Sequence, residues 1–190
     1  MLFRSGLRWA RNEQKFTQAS DGVLTYALGV TPFVGGESSE SVTTYMLSPR
    51  FHVNEDVMIY ARVASGYRPG GPNVALPGVP ASRDSDTLVN YEIGLKSQST
   101  DRRFLLDLAV FHIDWRDIQL TVAGAAGSSF GINGGKAQSQ GVELATSYSP
   151  VRGLRLGLNS AYTDATLSED VPQLAGVSGD QLPNSAECRF

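Results

Sequence analysis

Three things are scarce in this chain of 190 residues: charge, cysteine and long apolar runs. Charged residues make up 18%, below the quarter usual for soluble domains. The 16 Lys and Arg are scattered and outweighed by 19 Asp and Glu, so no basic stripe could follow a phosphate backbone and nucleic acid is excluded as a partner. A single cysteine, Cys188, excludes an internal disulfide and an all-cysteine metal cluster. The two histidines, His52 and His112, fall on different segments without another ligand at metal-binding spacing, so neither a metal centre nor any other cofactor is expected. No stretch approaches the roughly 18 apolar residues of a membrane-spanning helix. That absence leaves a membrane β-barrel open, because alternating strands average to a near-neutral hydropathy, and the mean hydropathy here is -0.16. The start "MLFRSGLRW" lacks the apolar core and cleavage site of a secretory signal.

What the chain has in abundance is alternation. Residues 57–63 place Val57, Ile59, Ala61 and Val63 on one side and Met58, Tyr60 and Arg62 on the other, the period-2 pattern of a strand with one apolar face. The same pattern appears in residues 3–11 (Phe3, Leu7, Trp9), 41–53 (Tyr45, Leu47, Phe51, Val53) and 88–97 (Val89, Tyr91, Ile93, Leu95). It returns in 103–122 (Phe104, Leu106, Leu108, Val110), 136–149 (Val142, Leu144, Tyr148) and 153–166 (Leu154, Leu156, Leu158, Tyr162), with a further strand start expected at 185–190. Residues 16–40, 69–86 and 124–135, rich in Gly, Ser, Thr or Pro, are expected to be loops. The short connections are "NED" at 54–56, "QSTD" at 98–101 and "PVRG" at 150–153.

Connections therefore alternate long and short, and the segments reach the roughly 9 to 11 residues that a tilted strand needs to cross a bilayer. The expected fold is all-β, an antiparallel up-and-down transmembrane β-barrel represented by about seven to eight strands of a larger one. Short turns would face the periplasm and long loops the outside. A half-buried sheet in a soluble sandwich shows the same alternation, but nothing there makes every second connection short.

The second face carries the polar positions. Arg62, Glu92, Lys96, Asp107, Glu143 and Arg155 are expected to line a wet interior, where opposite charges pair across strands. Tyr45, Tyr67, Tyr148 and Tyr162 lie toward strand ends, as interfacial aromatic girdles do. Arg68, at the base of a long loop, is a candidate contact for an anion, against a competing role in a structural pair with a neighbouring carboxylate. "DWRD" at 114–117 holds two carboxylates but reads as a solvated rim, and the Gly-rich "RPGG" and "GINGG" lack the strand-to-helix setting of a phosphate cradle. No catalytic residue is expected.

Three segments together resemble the barrel of TonB-dependent outer-membrane receptors: "VMIYARVASGYRPGGPN", "LVNYEIGLKSQSTDRRFLLDLAVFHIDWRDIQL" and "INGGKAQSQGVELATSYSPVRGLRLGLNSAYTDATL". They occur in the family's order and cover most of residues 7–166. The resemblance implies a barrel of about 22 strands with a plugged lumen. Within it, Glu92, Lys96, Gly141 and Glu143 are barrel positions rather than catalytic groups.

The implied activity is uptake of a large scarce solute, a ferric siderophore above all, across the outer membrane of a Gram-negative cell. Energy would come from TonB through a plug domain. Residues 1–190 carry no plug, energy-coupling box or signal sequence, so the chain is expected to be an interior piece of such a barrel. Its partners would be outer-membrane lipid, the solute and, through the missing plug, TonB. The competing readings are an independent small outer-membrane barrel acting as an enzyme or adhesin, and a soluble β-sandwich binding module. With both sheet edges open, the chain expressed alone is expected to aggregate.

Overall fold

The computed structural model describes residues 1–19, 21–27, 29, 33–73, 78–124, 129–172 and 175–182. Seven antiparallel strands form one sheet in the order β1-β2-β3-β6-β7-β10-β11. They are β1 (Leu2–Ala19), β2 (Phe33–His52), β3 (Val57–Arg68), β6 (Asp86–Gln98), β7 (Phe104–Arg116), β10 (Lys136–Tyr148) and β11 (Leu156–Leu167). Every strand pairs with its predecessor among these seven, which is the meander that hairpin connections impose. Among the described residues, β1 and β11 each pair on one side only.

The short turns gather at one end of the sheet. Asn54 Oδ1 accepts a hydrogen bond from the Asp56 amide at 2.9 Å, an Asx turn that reverses β2 into β3. At the next turn Asp101 Oδ1 accepts from the Ser99 hydroxyl at 2.6 Å and from the Arg103 amide at 3.1 Å. These bonds hold the Asp101 carboxyl below its ordinary pKa of 3.8, the Ser99 contact contributing most. Gly153 turns the third connection with a φ of 88°, open to glycine at no steric cost.

The long-loop end differs from its sequence-based expectation. Most of the stretch 16–40 is not a loop: β1 runs to Ala19 and β2 begins at Phe33, with a five-residue helix α1 (Val23–Ala27) between them. Polar residues form a strand here because they pair along and across the hairpin. Arg11 meets Glu13 along β1 at 2.6 Å, Lys15 of β1 meets Glu37 of β2 at 2.8 Å, and a doubly polar ribbon carries no apolar face to reveal it. Residues 103–122 are not one strand either. Asp117, at a φ of 55°, breaks the chain into β7 and β8 (Gln119–Ala123). β8 then pairs with β9 (Ser129–Asn133), so the glycine-rich loop holds a hairpin of its own. Within residues 69–86, β4 (Gly71–Pro72) and β5 (Ser82–Arg83) form a smaller one. Arg155 lies just before β11 rather than within it. Cys188 and the strand start expected at 185–190 lie outside the described residues.

The buried apolar core sits at this long-loop end, not inside the sheet. Ile118, Leu120, Ala137, Leu167 and Val171 cluster, flanked by Trp115, Ile132 and Leu182. The segment after β11 folds back to cover them, its Leu182 amide donating to the Ala165 carbonyl at 2.9 Å and the Leu167 amide to the Asp180 carbonyl at 2.8 Å. Each fully buried aliphatic side chain here contributes about 1.5 to 3 kcal/mol. Along the strands themselves the large apolar residues stay exposed, Leu7 at 79% and Ile93 at 65%, so they form a face that this chain does not cover.

Candidate functional site: a two-faced wall and a locked loop platform

Register decides which residues share a face. Ala61, Ile93, Val110, Val142 and Tyr162 align in one row across five strands. The next row toward the short turns is Phe51, Ile59, Leu95, Leu108, Leu144 and Ser160. No charged residue falls in these rows. They end toward the short turns at Phe104, Tyr148 and Leu156, and toward the loops at Tyr91, His112, Gln140 and Asp164. Tyr45, Tyr148 and Tyr162 therefore stand near the margins of the apolar belt, whereas Tyr67 stands well beyond it, opposite Thr87.

The opposite face brings the expected polar residues onto neighbouring strands. Arg62 lies opposite Glu92, with their charged atoms 4.0 Å apart. Tyr60 donates its hydroxyl hydrogen bond to Glu92 Oε1 at 2.7 Å, and Asn90 Nδ2 donates to Glu92 Oε2 at 3.2 Å. Lys96 pairs with Asp107 and places its ammonium 5.8 Å from the centre of the Tyr60 ring. Glu143 stands opposite Ala109 and Ala161, outside that network. Arg155 reaches the same face from its turn by donating to Ser147 Oγ at 3.1 Å.

Aromatic rings roof glycines on this face. A Cβ on Gly94 would lie 2.3 Å from the ring of Tyr60, its partner across the strands, and one on Gly141 would lie 2.1 Å from the Tyr162 carbonyl and 2.8 Å from the Phe111 ring. Glycine at these positions lets a ring lie down on the adjoining backbone.

Arg68 does not stand free at its loop base. Its guanidinium meets Asp86 Oδ2 at 2.5 Å and donates to the Gln119 carbonyl at 3.0 Å, with the Trp115 ring centre 5.7 Å away. Asp86 is buried, 2% exposed, and also accepts from the Gln119 amide at 3.2 Å.

Gln119 is the keystone. Its Nε2 reaches the carbonyls of Arg68, Pro69 and Asp84 at 2.9 to 3.1 Å, and its Oε1 accepts from Arg83 Nε at 3.1 Å. Asn73 clamps the two small hairpins together, donating to the Gly131 carbonyl at 2.7 Å and accepting from the Gly131 amide at 2.9 Å. Glu40 and Gln14 tie Gly70 to β2 and β1, at 2.9 Å each. The result is a loop platform locked onto the wall, with a crevice of about 370 Å³ between the hairpins, lined in part by Arg68, Arg83, Gln119 and Phe130.

Sequence reading missed Asp86, Gln119, Asn73 and Arg83, because one polar residue in a Gly- and Pro-rich stretch carries no period. A weak signal existed in Asn73 and Arg83, which flank the Pro and Gly turns. Among the described residues no group of His, Cys, Asp or Glu could hold a metal ion. His112 instead meets Asp114 at 3.1 Å beyond the apolar belt, and His52 faces the polar side opposite Met58.

Comparison with known proteins places this geometry. The family model described as TonB dependent receptor-like, beta-barrel, matches residues 2–187. Pesticin receptors of Yersinia enterocolitica and Yersinia pestis are each 32% identical over 111 residues, 57% of this chain and 16% of theirs. The crystal structure of the ferric yersiniabactin uptake receptor of Yersinia pestis superposes with a TM-score of 0.69 at 22% identity, covering 89% of this chain and 25% of that one. A siderophore receptor of Acinetobacter baumannii gives a TM-score of 0.73 at 17% identity, covering 96% of this chain and 26% of that one. The chain thus spans about a sixth of the length of the receptors it matches in sequence.

Proposed function

Because the chain belongs to the TonB-dependent receptor-like β-barrel family, a family of transport receptors and not of enzymes, we propose that it is part of the barrel wall of an outer-membrane importer of a ferric siderophore. The observation that carries this reading is the charge-free belt of Ala61, Ile93, Val110 and Val142 back to back with a face holding Arg62, Glu92, Lys96 and Asp107. An exposed apolar belt on every strand needs hydrocarbon to cover it, since an Arg or Lys at the bilayer midplane costs about 2 to 4 kcal/mol. The polar face then borders the lumen, with Glu143 and Arg155 among its lining groups. The short turns face the periplasm, and the loop platform with Arg68 faces outward, where a solute arrives.

The relatives' names supply the substrate class: one is an uptake receptor for ferric yersiniabactin and another a siderophore receptor. Energy comes from TonB through a plug domain seated in the completed barrel, to which the described residues contribute seven wall strands and a loop platform. The wall is not an independent small barrel, because β1 and β11 leave their outer edges unpaired among the described residues, and unpaired backbone groups in lipid cost several kcal/mol each.

The test is uptake. Cells in which this reading frame is disrupted should lose accumulation of at least one radiolabelled ferric siderophore under iron limitation, and collapsing the proton-motive force in intact cells should abolish the same uptake. Unchanged accumulation across hydroxamate, catecholate and thiazoline chelates would overturn the substrate class.

A further inference from the structure

The hairpin of β8 and β9 stands on kinks in both of its strands at one level. Asp117 leads into β8 at a φ of 55° and Gly135 leads out of β9 at 76°, while the Ile118 amide still donates to the Gly135 carbonyl at 3.3 Å and the Gly134 amide to the Ile118 carbonyl at 2.9 Å. Above the kinks the hairpin has two unlike faces. Gln119 stands opposite Asn133 and Thr121 opposite Gly131, which makes one face polar, whereas Leu120 stands opposite Ile132 on the other.

Each face holds a different long connection. On the polar side Asn133 Oδ1 accepts from the Asp84 amide at 2.7 Å and its Nδ2 donates to the Asp84 carbonyl at 2.9 Å, beside the Gln119 and Asn73 bonds that already tie residues 69–86 to the hairpin. A Cβ on Gly131 would lie 2.6 Å from Arg83 Cδ, so the arginine stem lies flat on that glycine. On the apolar side Leu120 and Ile132, with Ile118, pack against Leu167 and Val171 from the end of β11 and the segment after it. Val171 is 1% exposed, and a Cβ on Gly134 would lie 3.2 Å from it. Lys136 anchors the same segment, its Nζ meeting Glu169 at 2.9 Å and its carbonyl accepting from the Ser168 amide at 2.7 Å.

We infer that the β8–β9 hairpin is a strut that makes three outer connections, residues 69–86, the hairpin itself and the segment after β11, one cooperative unit that opens as a whole or not at all. An isolated two-stranded hairpin is marginal in water, so this one stands only while both of its faces are covered. Withdrawing residues 69–86 strands the polar groups of Gln119 and Asn133, and withdrawing the segment after β11 bares Leu120 and Ile118. In either case the hairpin loses a support, and the connection on its far face loses the surface it is docked on. Cooperative opening units of this kind coincide with supersecondary motifs. In the importer proposed above, on whose reading this consequence rests, an arriving solute meets one continuous rim and not three separate lids.

The test is amide hydrogen exchange, read by mass spectrometry on the full-length outer-membrane protein that carries this wall, purified in neutral detergent. Val171→Ala should speed exchange about 10-fold not only in residues 165–172 but also across the strut, in 129–133 and 69–73. Asn73→Ala, made on the opposite face, should speed exchange in 165–172 by a similar factor. Ser99→Ala, at the short turns, should leave all three regions unchanged. Heat-modifiable gel mobility reports that each barrel is intact, and the wild type supplies a measurement that needs no variant: in graded urea the three regions should lose protection at one concentration. Acceleration confined to the mutated face, or three staggered urea midpoints, overturns the unit. Exchange needs no cargo, so a protein whose three regions open together but which imports no siderophore keeps the unit and loses its role as a rim, and the reverse result does the opposite.

Discussion

The ring of Tyr60 occupies the space that a side chain on Gly94 would need, and its hydroxyl reaches past that glycine to Glu92 at 2.7 Å. Gly94→Val forces the ring off the adjoining strand and breaks that bond, so overpacking should cost about 1 to 3 kcal/mol. The expected result is a lower midpoint of urea unfolding in micelles. Tyr60→Ala introduced with Gly94→Val should recover part of the loss, and additive losses would show that the two residues do not meet.

Arg68 and Asp86 should respond unequally to truncation. Arg68→Ala leaves a buried carboxylate without its cation, and such losses run to about 3 to 5 kcal/mol. Asp86→Asn leaves a half-exposed guanidinium that water can solvate, and should cost less. Limited proteolysis of residues 78–85 measures both, because this pair and Gln119 hold that loop to the wall. Equal cleavage rates in the two variants would contradict the asymmetry.

Asp101 gives the turn between β6 and β7 a pH dependence of known sign. Its carboxyl titrates below the ordinary 3.8 because the Ser99 hydroxyl and the Arg103 amide favour the charged form. A depressed native value means that the stabilisation is fully present above the ordinary value and disappears as pH falls through the lower one. Acidification below about pH 4 should therefore loosen this turn, and Ser99→Ala should move the midpoint upward, read from the Arg103 amide shift by NMR. A midpoint that does not move would remove Ser99 as the main cause.

Single cysteines in a Cys188→Ser background test the two faces. In reconstituted vesicles, Ile93→Cys and Leu156→Cys should react slowly with an aqueous maleimide, and Glu92→Cys and Arg155→Cys quickly. Adjacent positions in a strand point to opposite faces, so comparable rates at 92 and 93 would sink the reading of one face in lipid and the other in water.

The core strands were legible because each carries its own evidence: Val57, Ile59, Ala61 and Val63 alternate whatever lies beside them. The polar extensions of β1 and β2 were not, because Lys15 and Glu37 justify a strand only once they face each other across it. Asp117 hid the end of β7 in the same way, since an aspartate in the left-handed region looks like any other residue in a one-dimensional pattern. At the candidate site, Arg62 and Lys96 could be assigned to the polar face from parity alone, but their partners could not.

Parity along the chain, a consequence of the pleat within a single strand, was enough to give two faces and about seven to eight strands, of which the described residues form seven; the Gly-, Pro- and Ser-rich stretches between them gave the alternation of short and long connections. Only the tertiary structure decided that Arg68 is spent on Asp86, that Gln119 binds three separate carbonyls, and that Arg62 falls opposite Glu92. Those relations depend on register between strands and on the docking of loops 50 or more residues apart along the chain, and no local period encodes a partner that distant.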